Sequence, residues 1–271
     1  MRFAGLDDEA WFARLVQSQH DRTLGLPGFP PDAVQAGFVG QAGETALQHG
    51  FDFYKGVRRE AGPSISDCDI LDFGVGWGRV IRMFLRDTSP DRLYGVDVDA
   101  GALKLCADTG VPGALSQISP QGPLPFHDGK FGVCYAFSVF SHISTASAET
   151  FLAELIRVTK PGGIVYFTTM GQGFLDLCWA CTAKHRSERT PFEQMYSETF
   201  SAPGAALEKF KAGQHVFAPT GGIAEVLEGS TYGWAAMPRA WLERQIEGRA
   251  EITYHDPGSI LEQATFCLTV K

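Results

Sequence analysis

The chain of 271 residues contains no stretch of eighteen consecutive apolar residues, which excludes a membrane-spanning helix read from hydropathy. Its first residues, MRFAGLDDEAWF, turn acidic before any apolar run develops, so they lack the pattern of a secretory signal. Both absences lead to the expectation of a soluble, cytoplasmic protein without a membrane partner. Clustered cations are equally scarce. No Lys/Arg run exceeds a pair and the formal net charge is −8, so no phosphate-tracking groove and no nucleic-acid partner is expected.

A disulfide framework is missing too. Six cysteines in a chain of this length, without an export signal, are read as reduced thiols, with Cys68, Cys106, Cys134 and Cys267 as core residues. Cys178-Trp-Ala-Cys181, followed by His185, is the single CxxC, and no second one completes a zinc set. On a helix the first and last of these three lie roughly 10 Å apart along the axis, too far for one tetrahedral centre. The expectation is a buried helical face and no metal.

What the sequence does have, from residue 69 onward, is strand–helix alternation, the pattern of a parallel α/β sheet. Strands are expected at 69–73, 92–96, 114–118, 131–137 and 164–168, with helices at 79–86, 100–109 and 149–158. Pro161-Gly162-Gly163 predicts a tight turn before the fifth strand. Ahead of the alternation, residues 7–20 and 44–60 read as helices, separated by the Pro/Gly-rich connector LGLPGFPPDAVQAGFVG. Residues 172–232 break the alternation with scattered aromatics; 234–246 reads as a helix, and 251–255 with 264–270 as a closing antiparallel pair. The predicted organisation is therefore an N-terminal helical cap (1–67) and an α/β domain (68–271) carrying an inserted lid (172–232).

The stretch ILDFGVGWGRV, residues 70–80, places Gly74, Gly76 and Gly78 directly after an apolar run. Glycines let the backbone turn sharply and approach a ligand, and a following helix start offers free N–H groups. The dinucleotide fingerprint G-x-G-x-x-G requires a glycine at position 79, where this chain has Arg79, while an acid, Asp72, precedes the turn. That weighs against NAD and FAD. About twenty residues on, Asp97 stands where an acid accepts bonds from ribose hydroxyls, and Asp99 suits the N-cap of the next helix.

DFGVGWGR resembles motif I of the class I S-adenosylmethionine-dependent methyltransferases (type 11/25-like), and YGVDVD resembles their motif II. PLPFHDGKFGVCYAFSVFSHI and ELIRVTKPGGIVYFTT are similar to the fourth-strand and fifth-strand segments of that superfamily, so the resemblance covers roughly residues 68–170. It implies a Rossmann-like, doubly wound, mostly parallel sheet with a final antiparallel strand, and S-adenosylmethionine as cofactor. By the same resemblance Asp72, Gly74, Gly76 and Gly78 shape the methionine and ribose end, Asp97 holds the ribose, and Val98 packs on adenine. Phe137 and Ser138 stand beside the methionine moiety, and Arg79 pairs with the cofactor carboxylate or points to solvent. Two departures stand out. Gly132 occupies a position where an Asp is common, and the loop Ser116-Gln117-Ile118-Ser119 lacks the acid that often receives the adenine amino group. Adenine contact is then left to the main chain there or to Gln117.

Methyl transfer from a sulfonium asks mainly for alignment in a dry pocket, with a general base only for a hydroxyl or protonated amine acceptor. His142, four residues past Ser138, is the candidate base; His215 is a weaker candidate, and His127, in the turn-like HDGK, reads as a surface residue. The aromatics of the insertion (Phe174, Trp179, Phe192, Tyr196, Phe200, Phe210 and Phe217) either wall an acceptor pocket or form the core of a helical cover. The expected activity is methyl transfer, at oxygen, to a small-molecule or saccharide acceptor. The rival expectations are a non-catalytic S-adenosylmethionine-binding scaffold and transfer of an aminopropyl group. The latter lacks its paired acids after the fourth strand.

Overall fold

The computed structural model describes residues 3–220 and 229–271, so residues 221–228 of the predicted insertion lie outside the described residues. The chain divides into two compact units: one of Met1–Ser119, Leu124–Tyr135 and Val158–Val165, the other of Pro120–Pro123, Ala136–Arg157 and Tyr166–Lys271. The N-terminal segment predicted as a cap falls entirely within the first. Among the described residues no helix is long and apolar enough to cross a membrane.

In the first unit, α1 (Asp8–Gln17) starts where Asp7 caps Ala10 N–H at 2.8 Å and buries Trp11 and Leu15. The predicted irregular connector contains a helix, α2 (Asp32–Val39), which ends at Gly40 with φ +73°. No apolar period announces it. Its fixing point is the buried side chain of Gln35, which donates to Pro30 O (2.9 Å) and accepts from Gly43 N–H (3.1 Å), tying both ends of the connector together. Next, α3 (Gly43–Ala61) buries Ala46, Leu47, Gly50, Phe51, Phe53, Tyr54 and Val57 at helical spacing. Arg86, itself buried, joins α1 and α3 by donating to Asp8 (2.6 Å) and to the Tyr54 hydroxyl (3.1 Å), which in turn donates to Asp87 at 2.5 Å.

The parallel strands of this unit are β1 (Ile70–Phe73), β2 (Leu93–Asp97), β3 (Ala114–Gln117) and β4 (Phe131–Ala136), with α4 (Ala100–Thr109) between β2 and β3. Their order is β3-β2-β1-β4, with Ile70 opposite both Leu93 and Val133. Every residue of β1 and β4 is buried, as expected of parallel strands covered on both faces. The helix predicted at 79–86 is a 3₁₀ helix, Ile81–Arg86. Met83 and Asp87 N–H groups bond three residues back, to Val80 and Phe84, so the tighter period takes hold and no α-helix follows the glycine turn.

The second unit holds most of α5 (Thr145–Val158) and the C-terminal part of β5 (Thr159–Met170), which starts directly where α5 ends. The tight turn expected at Pro161-Gly162-Gly163 is absorbed into β5, with Gly162 at φ +75°. Three helices follow, α6 (Gln172–Ala183), α7 (Pro191–Thr199) and α8 (Pro203–Lys211), then β6 (Val216–Pro219), β7 (Gly233–Ala236), α9 (Arg239–Ile246), β8 (Ala250–Ile260) and β9 (Gln263–Val270). β7 runs parallel to β5 through Met170–Ala236, β6 lies antiparallel to β7, and β9, antiparallel to β8, is also hydrogen-bonded to β5. The fold class is thus mixed α/β with a parallel sheet closed by antiparallel strands. The expected helix 234–246 is corrected: its first residues are β7, because Ala235 N–H donates to Ser141 O (2.8 Å), and the helix starts only after Pro238.

The aromatics of residues 172–217 divide. Phe174 and Phe200, with Leu175, Cys178, Leu207 and Val216, form a buried cluster against which Tyr196, Phe210 and Trp234 pack. Trp179 and Phe192 are exposed, 52% and 66%, so neither belongs to that core. Cys178 and Cys181 are buried, and His185 instead caps a turn, its Nδ1 at 2.7 Å from Ser187 Oγ.

Candidate functional site

The glycine turn is held by its neighbours at almost every polar backbone group. Gly74 and Val75 N–H both donate to Val96 O (2.9 and 3.0 Å), and Gly78 N–H donates to Val75 O at 2.8 Å. Gly74, Gly76 and Gly78 have φ of +85°, +52° and +77°, a region closed to most side chains. At Gly78 space matters as well, since a Cβ there would sit 2.6 Å from the Val111 methyls.

Asp97 closes the turn. One carboxylate oxygen accepts Gly76 N–H at 2.8 Å, and the other accepts Asp99 N–H at 2.9 Å. Burial raises its pKa, opposed by these backbone donors. The Gly76 carbonyl accepts the Cys106 thiol at 3.1 Å. Beyond β3, Ile118 N–H donates to Asp97 O (2.9 Å), and the Gln117 side-chain amide donates to Val98 O (3.0 Å).

Asp72 is buried within β1 and accepts the Tyr135 hydroxyl at 2.9 Å. Burial pushes its pKa up to about 7, against the pull of that hydrogen bond and of Arg79. Arg79 does not point to solvent: its guanidinium donates to Ala46 O of α3 at 3.3 Å, within the field of Asp72. Since the folded pKa of Asp72 lies above the ordinary 3.8, its contribution to stability is fully present below pH 3.8 and is lost as pH rises through 7. Comparing Asp72→Asn with the parent by urea unfolding between pH 4 and 7 should show the parent losing stability relative to the variant, by on the order of 4 kcal/mol at most. A flat difference across that window would refute the assignment.

Sequence reasoning missed Arg82, fully buried behind the turn. Its guanidinium donates to Gly78 O (2.7 Å), Gly28 O (2.7 Å), Trp77 O (3.3 Å) and Pro27 O (3.4 Å), and lies over the rings of Phe29 (4.3 Å) and Trp77 (5.0 Å). It therefore clamps the turn to the segment before α2. The available signal was a cation inside the apolar run VIRMF, which a solvent-facing position does not explain.

Gly132 has a local cause. A Cβ there would meet Cys68 Cβ at 2.4 Å and Sγ at 2.7 Å, so the position is filled by the Cys68 side chain. Gly132→Ala should cost about 1–3 kcal/mol, with a smaller loss in a Cys68→Gly background, measured as a double-mutant cycle. Equal losses in both backgrounds would exclude this packing explanation.

Phe137, Ser138, His142 and His215 belong to the second unit. Ser138 has φ +60°, an uncommon value for a residue with a side chain. Its N–H donates to Thr168 Oγ1 (2.8 Å), and its hydroxyl lies 2.9 and 3.1 Å from the amide nitrogen and oxygen of the buried Gln263. Phe137 is buried beside it. His142 Nδ1 lies 3.0 Å from Gly233 O. A carbonyl only accepts, so Nδ1 carries the proton and Nε2 of the neutral ring presents a lone pair. Burial lowers its pKa, partly offset by that hydrogen bond. His215 contacts Thr145 Oγ1 (2.9 Å) and the Trp241 ring, neither a contact of His142, and burial pushes its pKa down to about 4. His127 is exposed, its Nδ1 near Asp128 O, as expected of a surface residue.

The first-unit residues fit a sulfonium nucleoside. A Cβ on Gly76 would meet only Phe38, at 3.9 Å, so a ligand can approach the backbone there. Asp97 is half-buried, and its carboxylate, engaged by backbone donors of Gly76, Asp99 and Val98, keeps acceptor capacity for a ribose hydroxyl. Among the described residues no group of three His, Cys, Asp or Glu side chains is arranged to hold a metal ion.

Residues 71–167 match the family described as "Methyltransferase domain". The chain is 27% identical over 143 residues to the tRNA (carboxymethyluridine(34)-5-O)-methyltransferase of Arabidopsis thaliana, covering 51% of this chain and 31% of that protein. It is 34% identical over 110 residues to the malonyl-[acyl-carrier protein] O-methyltransferase of Serratia marcescens, covering 39% of this chain and 40% of that protein. It thus spans well under two thirds of the length of either relative. The crystal structure of an S-adenosylmethionine dependent methyltransferase from Mesorhizobium loti shares the fold, with a TM-score of 0.53 at 12% identity, covering 83% of this chain and all (100%) of the other. A glycine turn closed by the acid that ends β2, on a parallel sheet, agrees with these likenesses, and residues 71–167 are a methyltransferase domain of the class I S-adenosylmethionine-dependent type.

Proposed function

We propose that the protein transfers a methyl group from S-adenosylmethionine to an oxygen of a small-molecule or sugar-type acceptor. The observation that carries this reading is the Asp97 carboxylate bridging the glycine turn and the start of α4, which presents acid lone pairs and open backbone together. When bound, the cofactor supplies a methyl group on a positively charged sulfur.

The chain's own residues have separate tasks in this reading. Asp72, Gly74, Gly76 and Gly78 shape the methionine and ribose end, and Arg79 attracts the carboxylate. Asp97 takes the ribose hydroxyls, while Val98, Gln117 and Ile118 border the adenine. In the second unit Phe137 and Ser138 are further cofactor contacts, and His142 Nε2 receives the acceptor's proton. His215, held by Thr145 and Trp241, is assigned no proton transfer. Oxygen as the attacked atom is supported by the names of the two relatives above, each an O-methyltransferase. The net charge of −8 favours a small acceptor over a nucleic acid.

Calorimetry with S-adenosylmethionine and S-adenosylhomocysteine tests the first step. Saturable binding of both is expected, and absence of binding would end the reading. Binding without transfer to any hydroxyl compound would favour the scaffold alternative.

A further inference from the structure

This inference rests on the methyl-transfer reading and concerns which hydroxyl is accepted. His142 does not stand alone in the second unit. Its ring stacks on Tyr232 (centroids 5.4 Å, 16° between planes) and lies 4.9 Å from Trp234, which stacks on Phe174 at 5.1 Å. Tyr196 meets Phe174 and Trp234 edge-on, at 5.7 and 6.1 Å. The backbone fixes this set, because segment 141–144 is laced to 231–235: Ser144 N–H to Thr231 O, Gly233 N–H to His142 O, and Ala235 N–H to Ser141 O, at 3.0, 2.8 and 2.8 Å. The imidazole is thereby held in a contiguous cluster of aromatic rings.

No charged side chain acts on His142 itself, although Glu262 acts on Tyr196 at the far side of the cluster. The titratable groups packed around His142 are Tyr232 and, through Trp234, Tyr196; among the described residues no carboxylate or cation shifts its titration, only burial and the Gly233 carbonyl. Ser138 and Gln263, the neighbouring polar pair, are engaged with each other. A polyhydroxylated sugar is recognised by several convergent polar groups, whereas this cluster is mainly flat, half-buried rings, with one basic nitrogen, the two tyrosine hydroxyls and the Trp234 N–H as its polar atoms.

We propose that the acceptor is a phenolic compound, lying against the ring faces of Tyr232 and Trp234 with its hydroxyl at His142 Nε2. The base strength agrees. A histidine of lowered pKa is a weak base, and a phenol, several units more acidic than an aliphatic hydroxyl, is the hydroxyl it can most readily deprotonate. The phenol's proton passes to Nε2, and the phenolate oxygen forms the bond to the donated methyl carbon. The C–S bond breaks with its electron pair on sulfur. The products are an aryl methyl ether, a neutral thioether and an imidazolium.

The probe is 4-nitrophenol, whose phenolate absorbs at longer wavelength than the phenol. Mixing it with the full chain should perturb the absorption of the phenol saturably, as its hydroxyl donates to Nε2, and His142→Ala should abolish that perturbation. Methyl transfer from S-adenosylmethionine should then reach simple phenols but not methyl hexosides or alkyl carboxylic acids. It should fall about 100-fold or more in the His142→Ala and His142→Gln variants. The parent's pH profile should rise with one ionisation below the ordinary histidine value, absent from the variants. Methylation of hexosides or carboxylic acids with phenols inert, full activity without the imidazole, or cofactor binding with no phenol methylated would each overturn the proposal. Calorimetry on the same samples separates these results from loss of cofactor binding, which strikes the methyl-transfer reading instead. Retained cofactor affinity in the His142→Gln variant shows that it has folded.

Discussion

Arg82→Met is expected to lower the stability of the protein by about 3–5 kcal/mol, the range for removing one partner of a buried charged network. The carbonyls of Gly78 and Gly28, each accepting from this guanidinium at 2.7 Å, would be left without their charged donor, and the contact with Phe29 would be lost. Arg82→Lys should recover little, because a point ammonium cannot reach the carbonyls of Trp77, Gly78 and Gly28 from one position. Urea unfolding gives the global effect. Hydrogen exchange adds a local test: amides of residues 74–78 should lose protection before those of β1. An Arg82→Met protein with the parental midpoint and parental protection in the turn would contradict the clamp.

The second large effect is expected at Asp97. Asp97→Ala removes the acceptor of Gly76 N–H and Asp99 N–H together with the acid assigned to the ribose. Affinity for S-adenosylhomocysteine should drop at least about 100-fold, the equivalent of roughly 2.7 kcal/mol. Asp97→Asn should fall between parent and alanine, because its carbonyl oxygen still accepts one backbone donor while its NH₂ repels the other. Calorimetric affinities of the three proteins check this. If alanine and asparagine both bind like the parent, Asp97 holds neither the ribose nor the ligand-ready form of the turn.

These two residues differ in how they could be read. Asp97 was legible, since its distance along the chain from the glycine turn is set by one strand–turn–strand repeat. Arg82 was not. Its meaning depends on residues 27–29, more than fifty positions away, arriving behind the turn. The same divide runs through the fold. Strands β1, β2 and β4 were visible because strands covered on both faces are mostly apolar, here interrupted only by small residues and acids. The helix α2 was not, because Gln35 organises it by side-chain bonds to Pro30 and Gly43 rather than by an apolar stripe. β7 was mistaken for the start of a helix because its strand character comes from pairing with residues 141–144 and with β5 and β6, which no local pattern records.

The candidate site shows the divide again. The glycines, Asp72 and Asp97 announce a nucleoside site because backbone torsion and local acid placement are properties of short segments. Gly132, by contrast, looked like a departure from a family pattern until Cys68 was seen to fill its place. His142 was nameable as a candidate base from its position after β4, but its tautomer is decided by the Gly233 carbonyl, ninety-one residues further along the chain.

By itself, then, the amino-acid order determined the α/β class, the glycine turn and the methyl-donor family, all of which depend on contacts within a strand–turn–helix unit. Only the tertiary structure decided what clamps the turn, which way Arg79 points, and which nitrogen of His142 is free. Those outcomes are set by buried hydrogen bonds between distant segments. A buried donor or acceptor must find a partner, and which one it finds is known only once the chain has folded.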